Sequence, residues 1–539
     1  MNATAATDHQ PGPQTSPSMR LTDRGRSLLV VAPLIVVGLV LAPVFRDGIG
    51  LDGLAYVSIA QQYAEGQLPI NGYWGPLWSW FLVPLLAVGI EPLLAARILQ
   101  VASSVLVLLA LRRLMDVVGV RPLARDGLAL AVTPFLVAIA HYGIFTDVLM
   151  AGFLLLWCAE VLRADFPTSR AVALRAGLWA GLATLTKIYA LPFVLVHLAV
   201  VALMHLYRLR GTGQALVKVV SAVGLVAVVL SLLFVPWVAA LSDNYDRFTV
   251  TKSARYNVTI AGPGSQGNPI FYAGLLAPPS PDAVSVWEDP SQMPVDATGW
   301  SAGTDSADRL VDNIASNVAL AGNLAAEDMV LVSVLGLVGT AIVFLPLGPR
   351  GRQRSDLRFR MLGILAAASI YAGGYLLLFI ERRYTWLFLL LLVVPAGLAS
   401  QAILDRVPFR QRNLALVVVS ALLTVSVAAQ SLPRLLDERG TDRAQEVGDA
   451  LDVDGGLPGP VASNGFWERT AVICFQLDCQ FYGQPRRVEM GEELDDYLAL
   501  WGIRTFIAWG DPLENPPGPD VTPEGLENVH IYSVPESSG

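Results

Sequence analysis

Charge is scarce in this 539-residue sequence: only 15% of its residues are Asp, Glu, Lys or Arg, against about 25% in an average soluble domain. With 54% hydrophobic residues and a mean hydropathy of +0.52, that shortage excludes a soluble single-domain enzyme, a disordered chain and a nucleic-acid binder. Cysteine is scarcer. Cys158, Cys474 and Cys479 set no disulfide framework, and with five histidines they form no His/Cys cluster of metal-binding spacing. Cys158 lies in an apolar run, where packing or lipid contact explains it. Cys474 and Cys479 can pair in an oxidising compartment. Lysine is nearly missing: of 37 basic residues only Lys187, Lys218 and Lys252 are lysines, a bias that a high-GC genome explains.

What the sequence has instead is long apolar runs. They lie near 27–45, 92–111, 127–141, 147–162, 172–186, 189–206, 216–241, 328–347, 361–380, 384–404 and 413–432, and many reach the roughly 17–25 residues that a bilayer-spanning helix needs. The pattern predicts an all-α polytopic membrane domain of about 11 transmembrane helices over 27–434. Residues 1–26 are polar and Pro/Ser-rich and read as a disordered tail. From 435 onward 20 acidic residues face 6 arginines, a local balance of −14 in a chain of net charge −8. Such a tail reads as a water-soluble domain, with strands expected at 460–463, 480–483, 504–509 and 530–534 and helices at 443–451, 466–477 and 492–501. That is a small α/β domain.

A further apolar stretch, 76–90, is short and rich in tryptophan. Whether it crosses decides the topology. If it lies in the interface, 21 basic residues fall on one side of the membrane and eight on the other outside the tail. The positive-inside rule then puts the N-terminus in the cytoplasm and the acidic domain outside, as in a prokaryotic plasma-membrane protein. Two outer loops, 46–91 and 242–327, are long enough to hold chemistry. A structureless loop of the second one's length is uncommon unless functional.

Unusual residues gather at the outer span ends. Asp52 and Tyr56, with Tyr63, share a helical face by spacing. The carboxylate can serve as a general base or simply cap its helix. Asp147 opens a span, where the helix dipole alone would favour an acid; together with Asp52 it can also hold a divalent cation through hard oxygen ligands. Lys187 is a lone cation at a span end, which snorkelling also explains. Glu381-Arg382-Arg383-Tyr384 places two arginines against the charge rule, suited to bidentate phosphate recognition or to interfacial anchoring. In the large loop, Arg255, Tyr256 and Asn257 combine a cation, an aromatic and an amide, as a phosphate beside a sugar requires; an ordinary solvated loop is the alternative. Span-end ionisable residues are functional by default. An acid to deprotonate a hydroxyl, with cations to hold a phosphate, describes transfer from a phosphate leaving group.

The order of these segments resembles the GT-C superfamily of polyprenol-phosphate-dependent glycosyltransferases, which includes protein mannosyltransferases and the aminoarabinose transferases of lipid A. The resemblance rests on Asp52-Gly53-Leu54-Ala55-Tyr56, Gly72-Tyr73-Trp74-Gly75-Pro76-Leu77-Trp78, Ala95-Ala96-Arg97, Thr146-Asp147, the stretch from Gly181 to Lys187, and Glu381 to Tyr384. It covers roughly 27–434. It implies an inverting transfer on the extracytoplasmic face from a sugar on a polyprenyl phosphate to an acceptor hydroxyl of a glycan, lipid or protein. Asp52 maps to the catalytic acid of the first outer loop and Asp147 to that of the second. Lys187, Arg382 and Arg383, with Arg97 as a further candidate, would offset charge on the departing phosphate. Tyr56, Arg255, Tyr256, Asn257, Glu381 and Tyr384 would line the substrate. The first two outer loops lack an Asp-x-Asp, so a divalent cation is not implied by motif. Three other readings stay open: a lipid-linked oligosaccharide transferase or polymerase, a membrane transporter, and a non-catalytic member of the family. The transporter predicts inverted repeats that the sequence does not contain.

Overall fold

The computed structural model describes residues 23–261, 267–294, 304–345, 352–437, 442–453, 456–491 and 494–535. Most of the expected disordered tail, 1–22, lies outside them, whereas 23–26 already form the first turn of a helix. Among the described residues fifteen α-helices precede the C-terminal domain. In chain order the first seven are α1 (Asp23–Leu41), α2 (Gly50–Ala64), α3 (Pro76–Ala87), α4 (Pro92–Val118), α5 (Pro122–Ala131), α6 (Thr133–His141) and α7 (Asp147–Val161). They are followed by α8 (Arg170–Thr186), α9 (Ala190–Leu209), α10 (Ala215–Asn244), α11 (Ser253–Ala261), α12 (Thr304–Phe344), α13 (Arg352–Leu376), α14 (Arg382–Arg406) and α15 (Arg412–Asp437).

The apolar runs lie largely on helices, and among the described residues eight helical stretches are long and apolar enough to cross a membrane. The three other expected spans are shorter: α7 has 15 residues and α8 has 17, and the apolar part of α1 is residues 25–41. All of α7 except Leu156 is buried. A helix that is apolar on all sides belongs inside a bundle, and α7 packs between α4 and α8. The stretch at 76–90 forms α3, a 12-residue apolar helix, in keeping with its expected failure to span.

Local chemistry sets the boundaries. Pro76, Pro92 and Pro122 each sit in the first turn of their helix, where a missing N–H costs nothing. Glu91 caps α4 by accepting from the N–H groups of Leu93 and Leu94 at 3.0 and 2.8 Å, and Gly119 ends it in the left-handed region. The expected single run at 127–141 is broken between α5 and α6, because Pro134 removes a helical donor. The loop expected over 242–327 is also shorter than the sequence suggested. Residues 253–261 form α11, and α12 begins at Thr304, kinking at Met329 with φ −148° and ψ 51°.

The C-terminal domain holds α16 (Asp442–Val453), β1 (Val461–Ser463), α17 (Trp467–Gln476), α18 (Leu494–Leu500), β2 (Thr505–Trp509) and β3 (Val529–Ser533). The sheet order is β1-β2-β3, parallel then antiparallel. The segment expected as a strand at 480–483 lies beside β1 without forming a full strand, the Val461 N–H donating to the Gln480 carbonyl at 2.8 Å and the Tyr482 N–H to the Val461 carbonyl at 2.9 Å. It makes single bridges from Phe481 to Val461 and to Ser285 in the 267–294 loop. The Phe481 N–H donates to the Val284 carbonyl at 2.7 Å and the Leu276 N–H to the Tyr482 carbonyl at 2.7 Å. The domain is thus sewn to that loop, and its Trp467 and Phe481 join the same packed core as the bundle. All three cysteines are free and buried.

Candidate active site

Four helix ends meet at one cavity. Asp52 lies in the first turn of α2, Asp147 is the first residue of α7, Lys187 caps the C-terminus of α8, and Arg383 is the second residue of α14. All four border one cavity of about 460 Å³. Gly75 makes the close fit: a Cβ there would lie 2.3 Å from the Thr186 carbonyl oxygen, so α3 starts directly against the peptide that carries Lys187.

The charges in the cavity are paired. Asp52 does not cap its helix. One of its oxygens accepts from an Arg383 Nη1–H, and the other accepts from the Trp287 indole N–H at 3.2 Å. Arg383 Nε lies 2.7 Å from Glu381, and the guanidinium is sandwiched over Phe145 and Tyr384 at 4.7 and 5.1 Å. Lys187 Nζ donates to both oxygens of the buried Asp147 and stands 4.9 Å above the Tyr384 ring. The Thr146 hydroxyl donates to Tyr56 Oη at 3.4 Å between the two acids. Burial holds the Glu381 carboxyl above its ordinary range, with Arg383 opposing. One side of the cavity is apolar, with Ile188, Leu191, Pro192, Leu378 and Phe379.

Among the sequence-derived candidates, Asp52, Tyr56, Asp147, Lys187, Glu381, Arg383, Tyr384 and Asn257 all border this cavity. The other four do not. Arg382 turns to α12, where it pairs with Glu327 and Asp328 at 2.6 Å each. Neighbouring positions on a helix point about 100° apart, so only one of two adjacent arginines reaches the cavity. Arg97 is fully buried, and its guanidinium donates to the carbonyls of Gly48, Ala140 and Gly143. Arg255 is exposed. Tyr256 lies behind the wall, its hydroxyl donating to Asn268 at 3.0 Å.

The sequence reading missed Trp287, Glu288 and Asn268. Trp287 and Glu288 follow Ser285 in a 3-10 turn. The Glu288 carboxylate accepts from the Ser58 hydroxyl, the Gln62 amide and the Val284 N–H at 2.9, 2.9 and 2.6 Å, which clamps the loop onto α2. Its burial outweighs these donors and pushes its pKa up to about 7. The one sequence signal was an apolar-aromatic pair, Val286-Trp287, inside a polar loop. The donor set does not suit a resident divalent ion. Asp52 and Asp147 each already face a side-chain cation, and among the described residues no three His, Cys, Asp or Glu side chains converge.

No protein-family model and no curated protein matches this sequence. Solved structures do. ArnT from Cupriavidus metallidurans, bound to undecaprenyl phosphate, matches over 96% of this chain and 99% of its own at 15% identity and a TM-score of 0.58. Its apo form matches over 90% and 93% at 14% identity with a TM-score of 0.51. The apo oligosaccharyltransferase of Archaeoglobus fulgidus matches over 89% of this chain and 69% of its own at 11% identity with a TM-score of 0.54. The fold is GT-C. Its apolar helices make the chain a multi-pass membrane protein. The GT-C match spans bundle and C-terminal domain together, in keeping with the core they share.

Proposed function

We propose that this chain is an inverting glycosyltransferase. It moves one sugar from a polyprenyl phosphate to an acceptor hydroxyl on the extracytoplasmic face. The observation that carries the reading is the convergence of two acid–cation pairs, Asp52–Arg383 and Asp147–Lys187, on one cavity with an apolar flank. Asp52 takes the proton from the acceptor hydroxyl as that oxygen bonds to the anomeric carbon from the face opposite the phosphate. The bond from that carbon to the phosphate oxygen breaks, and its electron pair leaves with the lipid phosphate. Lys187 and Arg383 offset the charge that develops there, often the largest catalytic term. Asp147 holds Lys187, and the prenyl chain runs along the apolar flank. ArnT crystallised with undecaprenyl phosphate, which supports a lipid of that class.

The cavity volume of about 460 Å³ lies in the lower part of the roughly 300–1,000 Å³ that enclose one small ligand, which favours a single sugar over an oligosaccharide. The extracytoplasmic placement rests on the 21-to-8 asymmetry of basic residues. The deciding experiment is transfer of radiolabelled sugar from a panel of polyprenyl-phosphate monosaccharides by protein in lipid. Turnover of one donor that disappears in Asp52→Asn is expected; undiminished turnover in that variant overturns the assignment. A C-terminal tag should be cut by protease added to intact spheroplasts, and its protection would reverse the topology.

A further inference from the structure

The cavity wall beside Asp52 and Trp287 is built from aromatic rings and two carboxamides. Tyr73 meets Trp74 and Tyr256 edge-on, with ring centres 4.5 and 5.3 Å apart, and Trp74 lies 6.3 Å from Trp287. The Tyr73 hydroxyl donates to Asn257 Oδ1 at 3.2 Å. The Tyr256 hydroxyl donates to Asn268 Oδ1 at 3.0 Å, and that oxygen also accepts the Ile270 N–H at 3.3 Å. Asn257 and Asn268 come from opposite ends of the 258–267 stretch, yet both border the cavity.

A carboxamide is planar, with its acceptor at one corner and two donors at another. Here both acceptors are tied back to tyrosine hydroxyls. Their NH2 groups are thereby oriented, and among the described residues neither Nδ2 donates to any protein group. Two fixed, neutral donors in a cavity whose charged groups are already paired do not suit a phosphate, which Lys187 and Arg383 serve. They suit neutral oxygens.

We propose that Asn257 and Asn268 form the subsite that recognises the oxygens of the transferred sugar, with Tyr73 and Tyr256 as positioning residues that aim them. The proposal rests on the glycosyl-transfer reading. Both asparagines are half-buried, and a donor that a bound ligand covers without pairing it is costly, so the subsite discriminates between sugars by which of them place an oxygen against each NH2. Phosphate and prenyl recognition lie elsewhere in the cavity, and the two halves of the donor are separable in binding.

That separability is the test. Binding of bare undecaprenyl phosphate is compared with binding of its glucosyl, mannosyl and N-acetylglucosaminyl phosphodiesters, using the full-length protein in nanodiscs. Wild type should prefer at least one sugar-bearing lipid over the bare one. Asn257→Ala with Asn268→Ala should erase that preference, a loss of about twentyfold for two hydrogen bonds, while bare undecaprenyl phosphate binds as before. Unchanged bare-lipid affinity also certifies the fold of the variant. Tyr73→Phe, which keeps the ring and releases one carboxamide, should weaken the preference in the same direction by a smaller factor. A preference that survives in the double variant, or a wild type that binds bare and sugar-bearing lipids alike, overturns the subsite and leaves the transferase reading standing. A wild type that binds none of the four lipids overturns the transferase reading and the subsite with it.

Discussion

Lys187 Nζ stands 2.8 and 2.9 Å from the two carboxylate oxygens of Asp147, which ties the end of one short helix to the start of another. Asp147 is 2% exposed and Lys187 23%. Removing one partner leaves a buried charge uncompensated, which costs about 3 kcal/mol or more. Lys187→Met should therefore lower both the melting temperature and transfer. Combining it with Asp147→Leu should restore the melting temperature but not transfer. Thermal unfolding in detergent beside a transfer assay separates the two effects, and full activity in the double variant would remove the pair from the chemistry.

Trp287 gives a subtler handle on Asp52. Trp287→Phe keeps an aromatic ring beside Trp74, smaller than the indole, and loses the N–H that orients the carboxylate. One such hydrogen bond is worth roughly 1 kcal/mol, or about a fivefold change. The loss is expected in kcat, with the KM for donor little changed. A change confined to KM would recast Trp287 as a substrate contact.

Glu288 makes the loop clamp sensitive to pH, and the sign follows from its raised pKa of about 7. Released from the loop, the carboxyl titrates near its ordinary value of 4.5. Between these values the docked state binds a proton that the released state does not. Docking is thus favoured below about pH 4.5, weakens as pH rises to 7, and is flat above. The full span is on the order of 3 kcal/mol. Proteolysis of the 267–294 loop should accelerate from pH 5 to pH 7.5 in wild type and lose that pH dependence in Glu288→Gln.

Gly75→Ala tests the contact between α3 and α8. The added methyl would meet the Thr186 carbonyl at 2.3 Å, and a backbone atom cannot swing aside as a side chain can. The peptide carrying Lys187 must move. Activity should fall at least tenfold, since small misplacements near reacting groups are costly, with expression and melting temperature far less affected. Wild-type kcat in this variant would mean that the Lys187 position tolerates the shift.

Much of this site was legible because a membrane makes ionisable residues conspicuous. Asp52, Asp147, Lys187 and Arg383 stood out as charges at the ends of apolar runs, and all four border one cavity. The choice between Arg382 and Arg383 was not legible, since it depends on which face of α14 meets α12. Trp287, Glu288 and Asn268 were hidden for another reason. They lie in a loop without periodicity, and Trp287 and Glu288 act through contacts with Asp52, Ser58 and Gln62, more than two hundred residues away. In the C-terminal domain the three strands and three helices fell close to their expected places. The 480–483 segment lies beside β1 but makes only single bridges, because Phe481 is shared between Val461 of β1 and Ser285 of the loop.

The Phe481–Ser285 bridge has a bearing on engineering. The loop that supplies Trp287 to Asp52 hangs by backbone hydrogen bonds from the C-terminal domain. A chimera that exchanges only residues after 435 would cut those bonds and leave the loop held by the bundle alone, through Glu288 and α2, however well the new domain folds. A working graft has to carry 267–294 along with it, so the natural unit of exchange in this chain is discontinuous.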